Sequence, residues 1–292
     1  MSRIYVLANL SRKPGLKAIL KRLLPWLRRV ANCIKVDWNG DTDLQRVNAD
    51  LILVFGGDGS ILSAARRLHG NPIPVMGVNM GHLGFLAETS PDELRQTLPA
   101  VLRGEYVLSP RMMLEINVEP SAKKKSARTL YALNEVALLR QPMAPMMAVR
   151  VTVSNEEIAV YRGDGLIVST ATGSTGYSLS AGGPILSERL KAMIVVPVCP
   201  HTLANRPIVL SGDESVLICP TTRTNSPVEL VVDGQTHLRL KSGTEVQVTR
   251  APHEFNVVTL GKKGRYEIIR DKLHWAGWIK EKDRKPVWPA AL

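Results

Sequence analysis

Near residue 105 the hydrophobic pattern of the sequence changes character, and with it the kind of sheet the chain can build. Before that point strands and helices alternate. "IYVLANL" reads as a strand, residues 15–31 as an amphipathic helix with Pro25 as a kink or break, and "IKVDW" as the next strand. The turn-rich "NGDTD" leads into "ADLILVF", a Gly-rich loop and the helix "SILSAARRL". After "NPIPVMGVNMGHLGFLAE" comes "SPDELRQTLPAVLRG", with Ser90 as the expected N-cap and Pro91 at the first helical position. This order predicts a parallel α/β sheet covered by helices. From residue 106 the segments are short, β-rich and split by turn signals: "MLEINVEP", "MMAVRVTVSN", "EEIAVYRGDGLIVST", "RPIVLSGDESVLICP", "PVELVVDGQ" and "TEVQVTRA". They read as an antiparallel, sandwich-like β domain. The last stretch, "YEIIRDKLHWAGWIKEK", is helical again, and Leu273, Trp275 and Trp278 have no obvious place on a β-sandwich. The expected layout is therefore an α/β domain over 1–105, a β-rich domain over 106–260, and a helical tail over 261–292 that returns to the first domain.

Composition narrows the function classes. At 292 residues two domains are the natural expectation. No apolar run reaches the ~20 residues that span a bilayer, and the basic start lacks a signal-peptide pattern. Cys33, Cys199 and Cys219 form no CxxC pair, and the six histidines no HExxH, so neither a disulfide framework nor a protein-held metal is expected. Cytoplasm is the default location. The net charge of +12 suits anionic partners. "SAKKKSAR" (121–128) and "IKEKDRKP" read as solvated segments, however, and no nucleic-acid-binding signature accompanies the charge. Phosphorylated metabolites are the better match, without nucleic acid or membrane.

The run "LILVFGGDGSIL" (51–62) sharpens that expectation. A strand that ends in glycines and leads into a helix brings backbone N–H groups close to phosphate. Gly56, Gly57 and Gly59 with Ser60, a candidate helix cap, make such a loop, yet it is neither GxxxxGK[ST] nor GxGxxG. Asp58 is the unusual member, because a carboxylate among phosphates is repelled. It makes sense as an acceptor of a proton from an attacking hydroxyl, or as a partner of a shared cation. An Asp-Gly turn whose side chain bonds its own backbone is the plainer alternative. A second stretch, "GDGLIVSTATGSTGYSLSAGGP" (163–184), holds six glycines and seven Ser/Thr residues, a density of donors that suits the pyrophosphate and ribose of a nucleotide.

With "GGDG" (56–59), "NMGHLGFL" (79–86), "NE" (134–135), "DGLIVSTATGSTGYSLSAGGP" (164–184), "PVCPHTLANRP" (197–207) and "VDGQ" (232–235) in this order, the chain resembles the NAD kinases. They phosphorylate the adenosine ribose 2′-hydroxyl of NAD to give NADP. The resemblance implies an N-terminal α/β domain, a β-rich C-terminal domain and a final segment returning to the first. It implies ATP or polyphosphate as donor, carried with Mg²⁺, and a homodimer or homotetramer whose sites are shared between subunits.

It also implies roles. Asp58 would be the general base, and Gly57 and Gly59 would let the backbone approach NAD. Asn134 and Glu135 would hold NAD through its ribose and base, and Asp164 would contact a base across the subunit interface. Thr172, Ser174, Thr175 and Tyr177 would surround the adenine end, and Gln235 would complete the NAD site. Arg162 falls where arginine is associated with preference for NAD over NADH. Asn79, Phe85 and Asp233 are further candidates, although the glycines around Asn79 read as a turn and Asp233-Gly234 as a hairpin turn. His201 is expected to order a turn and pack the β domain. Ala171 and Gly176 depart from the proline and alanine common in this loop, and both changes loosen it.

Overall fold

A computed structural model describes residues 1–9, 15–81, 84–119, 127–202, 204–222, 226–261 and 264–273. Most of "SAKKKSAR", together with Trp275 and Trp278, lies outside these residues.

The first half alternates as its pattern requires. β1 (Arg3–Ala8), α1 (Leu16–Val30), β2 (Asn32–Asp37), β3 (Leu51–Gly56), α2 (Asp58–Leu68), β4 (Val75–Asn79) and α3 (Leu94–Leu102) follow in order. The strands are parallel and lie in the order β2-β1-β3-β4. β3 is buried at every position, as expected of a central parallel strand covered on both faces. Leu16, Leu20, Leu23 and Leu27 of α1 recur at helical spacing and pack with Leu94 and Leu98 of α3 on one face of this sheet. α2 covers the other face through Ile61, Leu62, Ala64, Ala65 and Leu68. Pro25 lies inside α1 without ending it. Ser90 caps as expected, in a reciprocal pair with Glu93, but the turn it closes only leads into α3 at Leu94.

The second half supplies β5 (Val107–Val118), β6 (Arg128–Ala132), β7 (Glu135–Arg140), β8 (Met147–Val153), β9 (Glu156–Gly163), β10 (Gly165–Thr170), α4 (Tyr177–Ser180), β11 (Ala192–Val198), β12 (Ile208–Ser211), β13 (Val216–Thr221), β14 (Val228–Val232), β15 (Thr236–Leu240), β16 (Val246–Thr259) and α5 (Arg265–Leu273). Six strands form an antiparallel sheet in the order β12-β11-β10-β7-β14-β15. Its Leu138, Val168, Val195 and Leu230 interdigitate with Ile116, Val151, Ile218 and Val248 of the facing sheet to fill the sandwich core.

That facing sheet is shared between the two halves. β16 pairs antiparallel with β13 over its first part and with β5 along its length, and its Val257 also pairs parallel with Val75 of β4. One ten-stranded sheet therefore runs from β2 to β9 across the change of pattern near residue 105. α2 is enclosed as a result. Phe255 and Val257 of β16, with Met113 and Leu133, pack in the same cluster as its apolar face. The tail begins with α5, where Ile269 is buried and, with Ile268, lines a cavity shared with Phe85 and Glu88.

Candidate active site

The strand order reverses direction at β1 and β3, so the carboxyl ends of these strands form the crevice where open α/β sheets bind ligands. The glycine loop sits there. Gly57 is extended and takes the N-cap position, so α2 begins at Asp58, two residues earlier than expected. Ser60 consequently does not cap the helix. It lies in the first turn, and its hydroxyl occupies the space where a Gly56 side chain would stand, 2.2 Å from an ideal Cβ. Asp58 becomes the first helical residue, where the helix dipole favours a negative charge. A small cavity of about 140 Å³ at Ser60 is lined also by Asn9, Gly40, Ser63 and Arg67.

The Asp58 side chain does not bond its own turn. Its two carboxylate oxygens accept the backbone N–H groups of Phe85 at 2.9 Å and Leu86 at 3.1 Å. Gly84 is glycine for this reason: a Cβ there would lie 2.0 Å from Asp58 Oδ1. Gly84, Phe85 and Leu86 of the "NMGHLGFL" motif thus form a cradle for Asp58. Asn79 is buried and holds that loop, donating its backbone N–H to Thr89 O and its side-chain amide to Gly81 O. Phe85 is half-buried and faces a cavity of about 490 Å³ together with Thr172, Thr175, Arg111 and Lys191.

The β domain brings its own carboxylates to the same region. Asp233 and Gly234 have φ of +48° and +62°, and Gln235 N–H donates to Val232 O, which makes the β14–β15 connection a type I′ turn. The expected hairpin turn is present, but Asp233 does more than turn. Its carboxylate points inward, is fully buried, and accepts the N–H groups of Leu133, Asn134 and Glu135 as well as Nη1 of Arg66 at 2.7 Å. Gln235 accepts from Arg66 Nη2 at 2.7 Å and donates to Gly59 O at 2.7 Å.

Glu135 lies beside Asp233 and is 6% exposed. Burial and the negative Asp233 push its carboxyl up to about 8, opposed by the donating N–H of Tyr177. Burial raises the Asp233 carboxyl too, but Arg66 and the backbone amides oppose the rise. Of the two, Glu135 is the poorly supported one, and its Oε2 has no hydrogen-bond partner. Burial also raises the Tyr177 hydroxyl, with Cys199, Asp164 and Glu135 as the negative neighbours.

The Ser/Thr-rich stretch folds into a 3₁₀ turn over Gly173–Thr175 and then α4. Ser174 is fully buried, and its hydroxyl is used internally, donating to Ala171 O and accepting from Leu186 N–H. Thr172 and Thr175 remain at the cavity. Gly173 touches Asn134, whose carbonyl would lie 2.2 Å from a Cβ there, so the Ser/Thr stretch and the "NE" pair are in direct contact. The segment "EEIAVYRGDGLIVST" is two strands in different sheets, with Asp164 at the crossing. Gly165 is needed there because a Cβ would meet Leu138 O at 2.5 Å. Asp164 is partly exposed and accepts from Arg140 Nε at 2.6 Å, whereas Arg162 is exposed on β9. His201 is exposed, so it does not pack the β domain. Its backbone N–H donates to Arg162 O, and Cys199, two residues earlier, is at φ +45°.

Arg66, Gly84 and Arg140 were not legible as site residues. Arg66 reads as an ordinary basic residue in the last turn of a helix, and a partner 167 positions away leaves no local trace. Gly84 carries a weak signal, being one of two glycines in an eight-residue motif. Among the described residues no three His, Cys, Asp or Glu side chains converge as a cation site, and no helix is long and apolar enough to cross a membrane.

Comparison with known proteins agrees with this geometry. The ATP-NAD kinase N-terminal domain family matches residues 10–106, and its C-terminal domain family matches 133–260. An NAD kinase of Geobacter sp. strain M21 is 35% identical over 288 residues, covering 94% of this chain and 99% of the relative. One from Geobacter sulfurreducens is 41% identical over 229 residues, covering 78% and 80%. Among solved structures, the yeast NADH kinase complexed with NADH has a TM-score of 0.84 at 22% identity, covering 96% of this chain and 89% of that one. An NAD kinase from Archaeoglobus fulgidus in complex with ATP has a TM-score of 0.71 at 26% identity, covering 93% and 98%. With both family domains matched in order over most of its length, the chain belongs to the NAD kinase family.

Proposed function

We propose that the protein phosphorylates the adenosine ribose 2′-hydroxyl of NAD with ATP, and that Asp58 is the general base. The observation that carries the role of Asp58 is its placement: first residue of α2, on a glycine loop, with one backbone N–H on each carboxylate oxygen. Each oxygen keeps a further lone pair for an incoming hydroxyl. The 2′-oxygen attacks the γ-phosphorus as its proton passes to Asp58. The bond from phosphorus to the bridging oxygen breaks, and ADP leaves with the electron pair. The first-turn N–H groups of α2 face the donor phosphates and offset their charge. Mg²⁺ would enter with the donor as part of the substrate and offset the charge on its phosphates, as phosphoryl transfer generally needs.

NAD would lie between Asn134–Glu135 and the cavity faced by Phe85, Thr172 and Thr175, with Tyr177 and Gln235 at its margins. Asp164 and Arg162, on the partly exposed crossing between sheets, suit contact with a dinucleotide held across a subunit interface. This favours a homodimer or homotetramer. A cytoplasmic location fits a consumer of ATP and NAD. The test is NADP formation from NAD, ATP and Mg²⁺ by wild type and D58N. Turnover by wild type with a loss of at least ~100-fold in a folded, NAD-binding D58N supports both statements. Unchanged turnover in D58N removes the general base, and NAD binding without turnover in wild type removes the kinase.

A further inference from the structure

α2 carries Asp58 in its first turn and Arg66 in its last, eight residues and about 12 Å apart on one rigid element. The β14–β15 turn grips the helix at both ends. Gln235 donates to Gly59 O near the start, and Arg66 bonds Asp233 and Gln235 near the end, all at 2.7 Å. The grip is largely dry, because the Arg66 side chain is 15% exposed and that of Asp233 is 0% exposed. The same Asp233 holds the N–H groups of Leu133, Asn134 and Glu135, and its own N–H donates to Glu135 O.

We infer that Arg66 is a positioning residue for phosphoryl transfer: its bridge to Asp233 and Gln235 sets α2, and with it Asp58, in register against Asn134 and Glu135. This rests on the kinase reading. Apolar burial of α2 through Ala64, Ala65 and Leu62 is non-directional and does not by itself stop the helix sliding along the sheet. A planar guanidinium fork on two acceptors is directional and fixes both translation and rotation. Without Arg66 the three amides would still hold Asp233, so the Asn134–Glu135 side of the NAD site would survive. What would be lost is the alignment of the base with the hydroxyl, and misplacement of about 1 Å can cost ~10²-fold in rate.

The experiment compares wild type, R66M, R66K and R66M/D233N in NADP formation and thermal unfolding. We expect kcat of folded R66M to fall ~10- to 100-fold while the KM for NAD stays within about threefold. R66K, which reaches one acceptor rather than two, falls between wild type and R66M and serves where R66M does not fold. The double variant separates alignment from stability, since it removes the buried charge that R66M leaves unpaired. It should regain part of the lost thermal stability, because the asparagine Oδ1 still serves the Asn134 and Glu135 amides although Leu133 N–H loses its acceptor, without regaining kcat. Wild-type kcat in R66K, a change confined to KM, or recovery of kcat together with stability in the double variant each overturn the inference. A wild-type protein that forms no NADP sinks the kinase reading and this inference with it, which is a different result from normal turnover in R66M.

Discussion

Glu135 offers a test that needs no substrate. In the unfolded chain its carboxyl titrates near the ordinary 4.5, whereas burial and Asp233 push it to about 8 in the folded protein. At pH values between these, unfolding releases a proton. Folded stability therefore falls as pH rises, by up to ~1.4 kcal/mol per pH unit. The full effect is about 5 kcal/mol, of which about 4 kcal/mol lies between pH 5 and pH 9. The groups facing Glu135 are Asp233, which is ion-paired with Arg66, and Tyr177, with Asp164 beyond it. Tyr177 titrates upward from its usual value, so over this range the change belongs to the two buried carboxyls.

E135Q keeps the shape of the neutral acid and cannot ionise. Urea unfolding of wild type and E135Q at pH 5, 7 and 9 should give a stability difference that shifts in favour of E135Q as pH rises. A shift of a few kcal/mol is expected, with most of it between pH 5 and pH 8. Were the difference constant to within about 0.5 kcal/mol across that range, Glu135 would titrate like a surface carboxyl, and the assignment of the site proton to it would be wrong.

Three further outcomes are expected. G84A places a methyl group on the Asp58 carboxylate and should cut kcat by ~10²-fold, which steady-state NADP formation will show, with circular dichroism checking the fold. G173A drives a Cβ against Asn134 O and should cost ~1–3 kcal/mol in urea unfolding and raise the KM for NAD. Chelation by EDTA should abolish turnover and leave thermal unfolding unchanged, because among the described residues no side-chain cluster holds a cation.

What the sequence disclosed and what it hid divide along one physical line. Periodicity disclosed the parallel sheet, the antiparallel sandwich and the change near residue 105, because burial of alternate or every residue is written locally. The start of α2 was misplaced because a glycine pair at 56–57 leaves the N-cap undecided until Gly57 is seen to be extended. "EEIAVYRGDGLIVST" reads as β-rich, but nothing local says that its two strands belong to different sheets, and only packing against Leu138 shows that Gly165 begins another sheet. Asp233 was legible as a turn residue and Glu135 as half of a pair. That one carboxylate holds the backbone of the other depends on residues about 100 positions apart, and no local rule reaches that far.

The three acids of the site can be told apart by what donates to them. Asp233 has a guanidinium and three amides and no exposure, so it is spent on holding the "NE" backbone against α2. Glu135 has one amide and an unpartnered oxygen, so in the folded protein it keeps its proton to higher pH than an ordinary glutamate. Asp58 has two amides and partial exposure, so its orientation is fixed while each oxygen keeps a lone pair, as the proposed general base requires. Setting a carboxylate beside phosphates would be costly in a loop that offered it nothing. Here the Phe85 and Leu86 amides and the start of α2 supply the compensation before any substrate arrives, and the space for it exists only because residue 84 is glycine.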